Sequence, residues 1–218
     1  RKGSEVDGGQ LKTVLERSRF EVFLYTDKNS AFIKETLEKA AMENHNDADC
    51  ILVAVLSHGD NGEIEAYDKE YLEETLWTPF SADKCKSLAG KPKLFFIQAC
   101  RGDSKDAGVT TDGGVTADGG ATSGSSSSPA LTIPTHADFL IAHATVPGYV
   151  SWRNQLEGAY FIQALCRVLE NQADTDDLVS ILVKVNGLVA AKTINQHWKQ
   201  IPSFRCTLTK KVMLCKKN

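Results

Sequence analysis

Two apolar runs of strand length constrain this chain more than any other feature. Cys50 to Leu56 and Lys93 to Ile97 are each bounded by polar or turn-forming residues, and neither shows the apolar–polar alternation of a half-solvated strand. A strand that is apolar on both faces must be covered on both faces, as in a parallel sheet between helices. Amphipathic stretches supply the covers. Leu11 to Arg19 carries Leu11, Val14 and Leu15 on one face, and Ala31 to Met42 carries Phe32, Ile33, Leu37, Ala40 and Ala41 behind Ser30 as cap. Phe20 to Tyr25 reads as a further strand, Gly62 to Tyr67 as a weak strand or hairpin, and Leu72 to Leu76 as a short helix. Strand and helix alternate, which predicts an α/β fold with a mostly parallel sheet.

From Asp103 to Pro129 the composition changes to Gly, Ser, Thr and Asp, with Val109–Gly114 repeated in variant form as Val115–Gly120. Such a segment buries too little apolar area to offset its ordering entropy, so it reads as a flexible linker. The expected organisation is a large part over 1–112, a linker over 113–129 and a small part over 130–218. Beyond the linker the pattern predicts a strand at Ala137–His143 and a turn at Pro147-Gly148. Helices follow at about Ala159–Glu170 and, after Asp176-Asp177, at Leu178–Ala191, then a last strand around Cys206–Leu214.

At 218 residues, with 42% apolar and 24% charged residues, the balance is that of a globular protein. A net charge of −3 speaks against a protein that works by neutralising nucleic-acid phosphates. No apolar run is long enough to span a bilayer, and the opening Arg1-Lys2-Gly3-Ser4-Glu5 has no signal-peptide pattern. Six cysteines occur without a CxxC spacing, which disfavours a zinc site and suggests free thiols in a reducing, cytoplasmic setting. Cys50 and Cys166 lie among apolar neighbours and read as buried small hydrophobes.

The chemistry concentrates where the two apolar runs end. One leads into Ser57-His58-Gly59 and the other into Gln98-Ala99-Cys100-Arg101-Gly102. In open parallel sheets ligands collect beyond the carboxyl ends of the strands, so His58 and Cys100 should reach one edge. A thiol needs deprotonation to attack, and an adjacent imidazole supplies the base and later protonates the leaving group. Gly59 permits close backbone approach, and its N–H with that of Cys100 could hold a developing oxyanion. His45, His136, His143 and His197 sit in polar loops, after the linker or at a strand end, and are poorer candidates.

With these residues in place, the chain resembles the caspases over essentially its whole length. The resemblance is carried by the QACRG string at 98–102, Arg1-Lys2-Gly3-Ser4-Glu5-Val6-Asp7, Gly90-Lys91-Pro92-Lys93-Leu94-Phe95 and Ala137-Asp138-Phe139-Leu140. Pro147-Gly148-Tyr149-Val150-Ser151-Trp152-Arg153-Asn154 and Gly158-Ala159-Tyr160-Phe161-Ile162-Gln163 complete it. It implies a three-layer α/β fold of large and small subunits whose first core strand would precede Arg1. It further implies cysteine-protease cleavage after aspartate without a cofactor, in apoptosis or inflammation. The P1 pocket would consist of Arg1, Gln98 and Arg153; arginine is suited to this because it grips a carboxylate bidentately. Ser151 and Arg153 would hold the substrate backbone as an added strand, and Trp152 would wall the P2 pocket. Zymogen processing is expected at Asp112 and Asp118. The implied partners are protein substrates, a second copy paired through the last strand, upstream caspases and inhibitor proteins, with neither nucleic acid nor membrane.

Three features depart from the family pattern. Val150 stands where effector caspases usually carry an aromatic, Tyr160 where they carry tryptophan, and the segment from Lys192 to Gln200 is short. Two rivals stay open on sequence alone: a caspase-like pseudoenzyme serving as a dimerising regulator, and another Cys–His acyl transferase. The paired arginines count against both, since only an acid-reading enzyme needs them.

Overall fold

The structure, a computed structural model, describes residues 3–109, 133–154 and 157–214. The expected linker over 113–129, Arg1, Asp112 and Asp118 therefore lie outside the described residues. In chain order the elements begin with α1 (Ser4–Arg17), α2 (Ser30–Met42), β1 (Ile51–Leu56), β2 (Gly59–Asp60), β3 (Glu63–Glu65) and β4 (Glu70–Leu72). Three short 3-10 turns lead to β5 (Lys93–Gln98). The second half supplies β6 (Phe139–His143), β7 (Arg153–Asn154), β8 (Gly158–Ala159), α3 (Tyr160–Gln172), α4 (Leu178–Ala191) and β9 (Ser203–Cys206).

The main sheet runs β1-β5-β6-β9; the first three strands are parallel and β9 is antiparallel to β6. Alternate residues of the central strands feed two cores. Leu94, Phe96, Leu140 and Ala142 pack with α1, α3 and α4, while Phe95, Ile97, Phe139 and Ile141 pack with Leu37 of α2 and with Leu76, Phe80 and Leu88. Every residue of β5 and β6 is buried, as a strand covered on both faces requires. Full burial of each large apolar side chain is worth roughly 1.5–3 kcal/mol, so this three-layer core dominates the stability.

Four expectations need correction. All six residues of β1 are only half-buried, because no strand pairs with its outer edge among the described residues. Phe20 to Tyr25 pairs with no strand among the described residues, and Phe23, Leu24 and Tyr25 are exposed. The α2 cap is Asn29, whose side chain accepts from Phe32 N, not Ser30. The last strand lies earlier than Cys206–Leu214, at Ser203–Cys206, while Val212 and Leu214 are buried without belonging to a strand. By contrast α4 has the expected limits, and Asp177 caps it by accepting from Val179 N and Ser180 N.

Candidate active site

Parallel pairing of β1 with β5 sets Val55 against Ile97 and Leu56 against Gln98. The same offset separates His58 from Cys100, each two residues beyond its strand, so both stand at one edge of the sheet. Ser57 N donates to Gln98 O at 3.0 Å, which extends the ladder toward them. His58 is exposed and its carbonyl accepts from Glu65 N at 3.0 Å, which ties it to the β2–β3 hairpin. At Gly59 a methyl carbon would lie 2.6 Å from Glu63 O and 3.1 Å from both Ala99 Cβ and Cys100 O. Glycine is what lets the His58 turn press against the Cys100 turn.

Cys100 is half-buried, and its sulfur lies beside Ser151. Ser151 N donates to Sγ at 3.4 Å, Sγ lies 3.6 Å from Ser151 Oγ, and Sγ donates to Ser151 O at 3.8 Å. Gln98 Nε2 donates to the same Ser151 Oγ at 2.9 Å, while the buried Gln98 Oε1 has no hydrogen-bond partner among the described residues. The backbone beyond the thiol is clamped to the facing loop. Arg101 N donates to Tyr149 O at 3.0 Å, Gly148 N donates to Arg101 O at 2.6 Å, and Ser104 N donates to Gly148 O at 3.0 Å. A side chain at Gly102, where φ is +141°, would collide with the Gly148 backbone at 2.4 Å.

Arg153, in β7, is half-buried, and its Nη1 donates to Ser4 Oγ at 3.2 Å. That contact brings the start of α1 beside Arg153. Trp152 N donates to Gln200 Oε1 at 2.7 Å, and Lys105 Nζ lies 5.8 Å from the Trp152 ring and 5.6 Å from the Trp198 ring. Trp152 belongs to neither hydrophobic core, and its buried Nε1 has no partner among the described residues.

Sequence reasoning missed several residues that hold these groups in place. Asp7 is 1% exposed and accepts the Ala159 N–H on both carboxylate oxygens at 3.0 Å, fastening α1 to the start of α3. Gly158 leaves room for that carboxylate: a methyl carbon there would lie 2.0 Å from Asp7 Oδ1. The Arg1–Asp7 string was a visible signal, but nothing in it pointed to Ala159. Gln200, 2% exposed, bridges Trp152 N to Ala144 O, to which its Nε2 donates at 2.7 Å. Lys91 Nζ donates to His45 O, Asn46 O and Ala48 O at 2.6–2.8 Å, so the Gly90–Pro92 turn before β5 is a structural clamp. Glu73 accepts from His143 Nε2 at 3.1 Å and lies 3.7 Å from Arg101 Nη2. The His143 hydrogen bond holds the Glu73 carboxyl below the ordinary carboxylate value; burial opposes this, and the charges of His143, Arg101 and Arg205 reinforce it.

Of two other thiols, Cys166 is buried and Cys50 half-buried. Burial, with a small push from Asp49, raises Cys50 to about 11, and burial with Glu170 and Asp7 raises Cys166 to about 12, so neither is a nucleophile at neutral pH. Among the described residues no group of three or more His, Cys, Asp or Glu side chains could hold a metal ion, and no helix is long and apolar enough to cross a membrane.

Comparison with known proteins identifies the family. A family model described as the caspase domain matches residues 1–213. Caspase drICE of Drosophila melanogaster is 45% identical over 96% of this chain and 63% of its own length. Caspase-1 of Spodoptera frugiperda is 42% identical over 100% of this chain and 73% of its own, and Caspase-7 of Gallus gallus 42% identical over 97% and 70%. The crystal structure of Caspase-1 from Spodoptera frugiperda matches with a TM-score of 0.90 at 41% identity, covering 100% of this chain and 83% of that one. With its three-layer α/β fold, this chain belongs to the caspase family of cysteine peptidases.

Proposed function

We propose that this chain is the protease core of an endopeptidase that cleaves proteins after aspartate in apoptotic or inflammatory signalling, with Cys100 as nucleophile and His58 as general acid and base. The observation that carries the reading is the cluster in which Ser151 joins the Cys100 sulfur to the Gln98 amide, at the sheet edge where His58 also stands. His58 takes the thiol proton, the sulfur attacks the scissile carbonyl, and the N–H groups of Gly59 and Cys100 hold the oxyanion. Collapse expels the amine with a proton from His58 and leaves a thioester. Water, deprotonated by His58, then releases the acid.

Gln98, Arg153 and Arg1 form the P1 pocket. A half-turn of the Gln98 amide lets the Ser151 hydroxyl donate to Oε1 and turns Nε2 toward a carboxylate, which would satisfy the polar end that otherwise lacks a partner. Arg153 and Ser151 hold the substrate backbone, and Trp152 borders P2. The chain divides into a large subunit over 1–112, a linker over 113–129 cut at Asp112 and Asp118, and a small subunit over 130–218. Two such units pair through β9 in the cytoplasm, where upstream caspases and inhibitor proteins act on them. A regulatory pseudoenzyme would have no use for both the His58–Cys100 pair and an acid-reading pocket.

The test compares kcat/KM for peptides differing only in Asp or Asn at P1, alongside Cys100→Ala. Discrimination of at least about three powers of ten is expected, as for sites built around specific polar partners. The variant should fold and turn over nothing. Equal rates on the two peptides would remove the pocket, and turnover by the variant would remove the nucleophile.

A further inference from the structure

We propose that Glu73 is a positioning residue for the Cys100 turn, an inference that rests on the reading of Cys100 as the nucleophile. Glu73 opens the 3-10 turn after β4, and its N–H donates to Gly62 O at 2.8 Å, so it is anchored to the hairpin that begins at His58 and Gly59. Its carboxylate, only 18% exposed, takes the His143 hydrogen bond on Oε2 and faces Arg101 Nη2 with Oε1. Arg205 of β9 adds positive charge to the same site, with its guanidinium over the Trp77 ring at 5.6 Å.

Each of these partners belongs to a different part of the active site. Arg101 directly follows the nucleophile. His143 ends β6, from which the chain runs on to Ser151 and Arg153. Glu73 therefore joins the general-base hairpin through its backbone N–H, and the nucleophile turn and the root of the substrate loop through its carboxylate. The Arg101 backbone is gripped from one side by Gly148 and Tyr149, and its side chain from the other by Glu73. Arg101 Nε is itself buried with no hydrogen-bond partner among the described residues, so the guanidinium depends on Glu73 for its charge balance. With Glu73 uncharged, Arg101 would lie in a confined site beside Arg205 and would shift toward water, taking the Cys100 peptide with it. Glu73 touches neither the reacting atoms nor the P1 pocket, so the effect falls on the attack step.

The experiment measures Glu73→Gln, which keeps the shape and removes the charge, in the purified protein beside wild type, His143→Gln and Cys100→Ala. Readouts are kcat, KM, the rate of Cys100 alkylation by iodoacetamide, and thermal melting. For Glu73→Gln, kcat should fall about 10- to 100-fold, as for sub-ångström to ångström displacements of a reacting group, with KM within about threefold. Alkylation should slow in parallel, because that small reagent uses no peptide subsite. His143→Gln should lower kcat and alkylation in the same direction by a smaller factor. A folded Glu73→Gln with wild-type kcat, or with normal alkylation despite a lower kcat, overturns the proposal. Should Glu73→Gln fail to fold, wild-type kcat and alkylation in His143→Gln overturn it equally. Turnover by Cys100→Ala would instead overturn the nucleophile reading on which the proposal stands.

Discussion

Gly59→Ala is the smallest substitution that reaches the candidate dyad, and its effect can be worked from the contacts. The new methyl carbon would sit 2.6 Å from Glu63 O and 3.1 Å from Ala99 Cβ and Cys100 O. None of these is the tip of a flexible side chain. Glu63 O belongs to β3, paired to β2 through Asp60, and Ala99 is 2% exposed. Either the hairpin retreats or the Cys100 peptide moves. Overpacking of this kind costs typically about 1–3 kcal/mol of stability. Both displacements also carry the two N–H groups assigned to the oxyanion out of line, and loss of one such donor lowers kcat by about 100- to 1000-fold. Gly187→Ala is the control: the added carbon meets nothing within 4 Å in α4, and it should gain roughly 0.5–1 kcal/mol with unchanged kcat. Turnover of a fluorogenic peptide with P1 Asp and urea unfolding followed by tryptophan fluorescence measure both quantities. If Gly59→Ala retains kcat within about threefold of wild type at equal stability, both the packing argument and the oxyanion assignment are wrong.

Two further outcomes are expected. Intact-mass analysis should find new termini after Asp112 or Asp118, with Cys100→Ala left uncut; unchanged processing of an Asp112→Ala, Asp118→Ala double variant would refute these sites. Asp177→Ala should lose about 1 kcal/mol at neutral pH through the missing α4 cap. The bond from Ser180 Oγ, with those from the Ser180 and Val179 backbones, holds the Asp177 carboxyl below its ordinary 3.8. The wild-type advantage is therefore full above that value and shrinks as pH falls through the depressed one; a difference that grows in acid would contradict the cap.

The elements legible in the sequence were those whose pattern matches their surroundings. β5 is apolar on both faces and buried on both, and α4 carries a capping aspartate ahead of a strong apolar stripe. Errors arose where pairing decides. Ile51 to Leu56 has the composition of a central strand, yet its burial depends on a neighbour that no residue within it specifies. Phe20 to Tyr25 has high strand propensity, but propensity forms no ladder without a partner. The apolar residues at Val212 and Leu214 mimic a strand beyond Cys206, yet they reach the α-helical core from irregular backbone.

The candidate site divides along a similar line, and strand register explains why its central pair could be read at all. In a parallel ladder each residue of β1 has a fixed counterpart in β5, so the distance in sequence between His58 and Cys100 is the register offset continued two residues past both strand ends. Inserting one residue in either strand would move one member by about 3.3 Å along the sheet and turn its side chain to the other face. The spacing is therefore a consequence of pairing, and two apolar runs with functional residues at matched ends suffice to reveal it. Asp7, Glu73 and Gln200 have no such rule. Each meets its partners through loop closures, Asp7 at Ala159, Glu73 at His143 and Gln200 at Ala144, and a lone acidic or amide residue in a polar stretch looks the same whether it is solvated or buried. A candidate pair can be read where regular backbone carries it, whereas the side chains packed around it emerge only with the tertiary contacts.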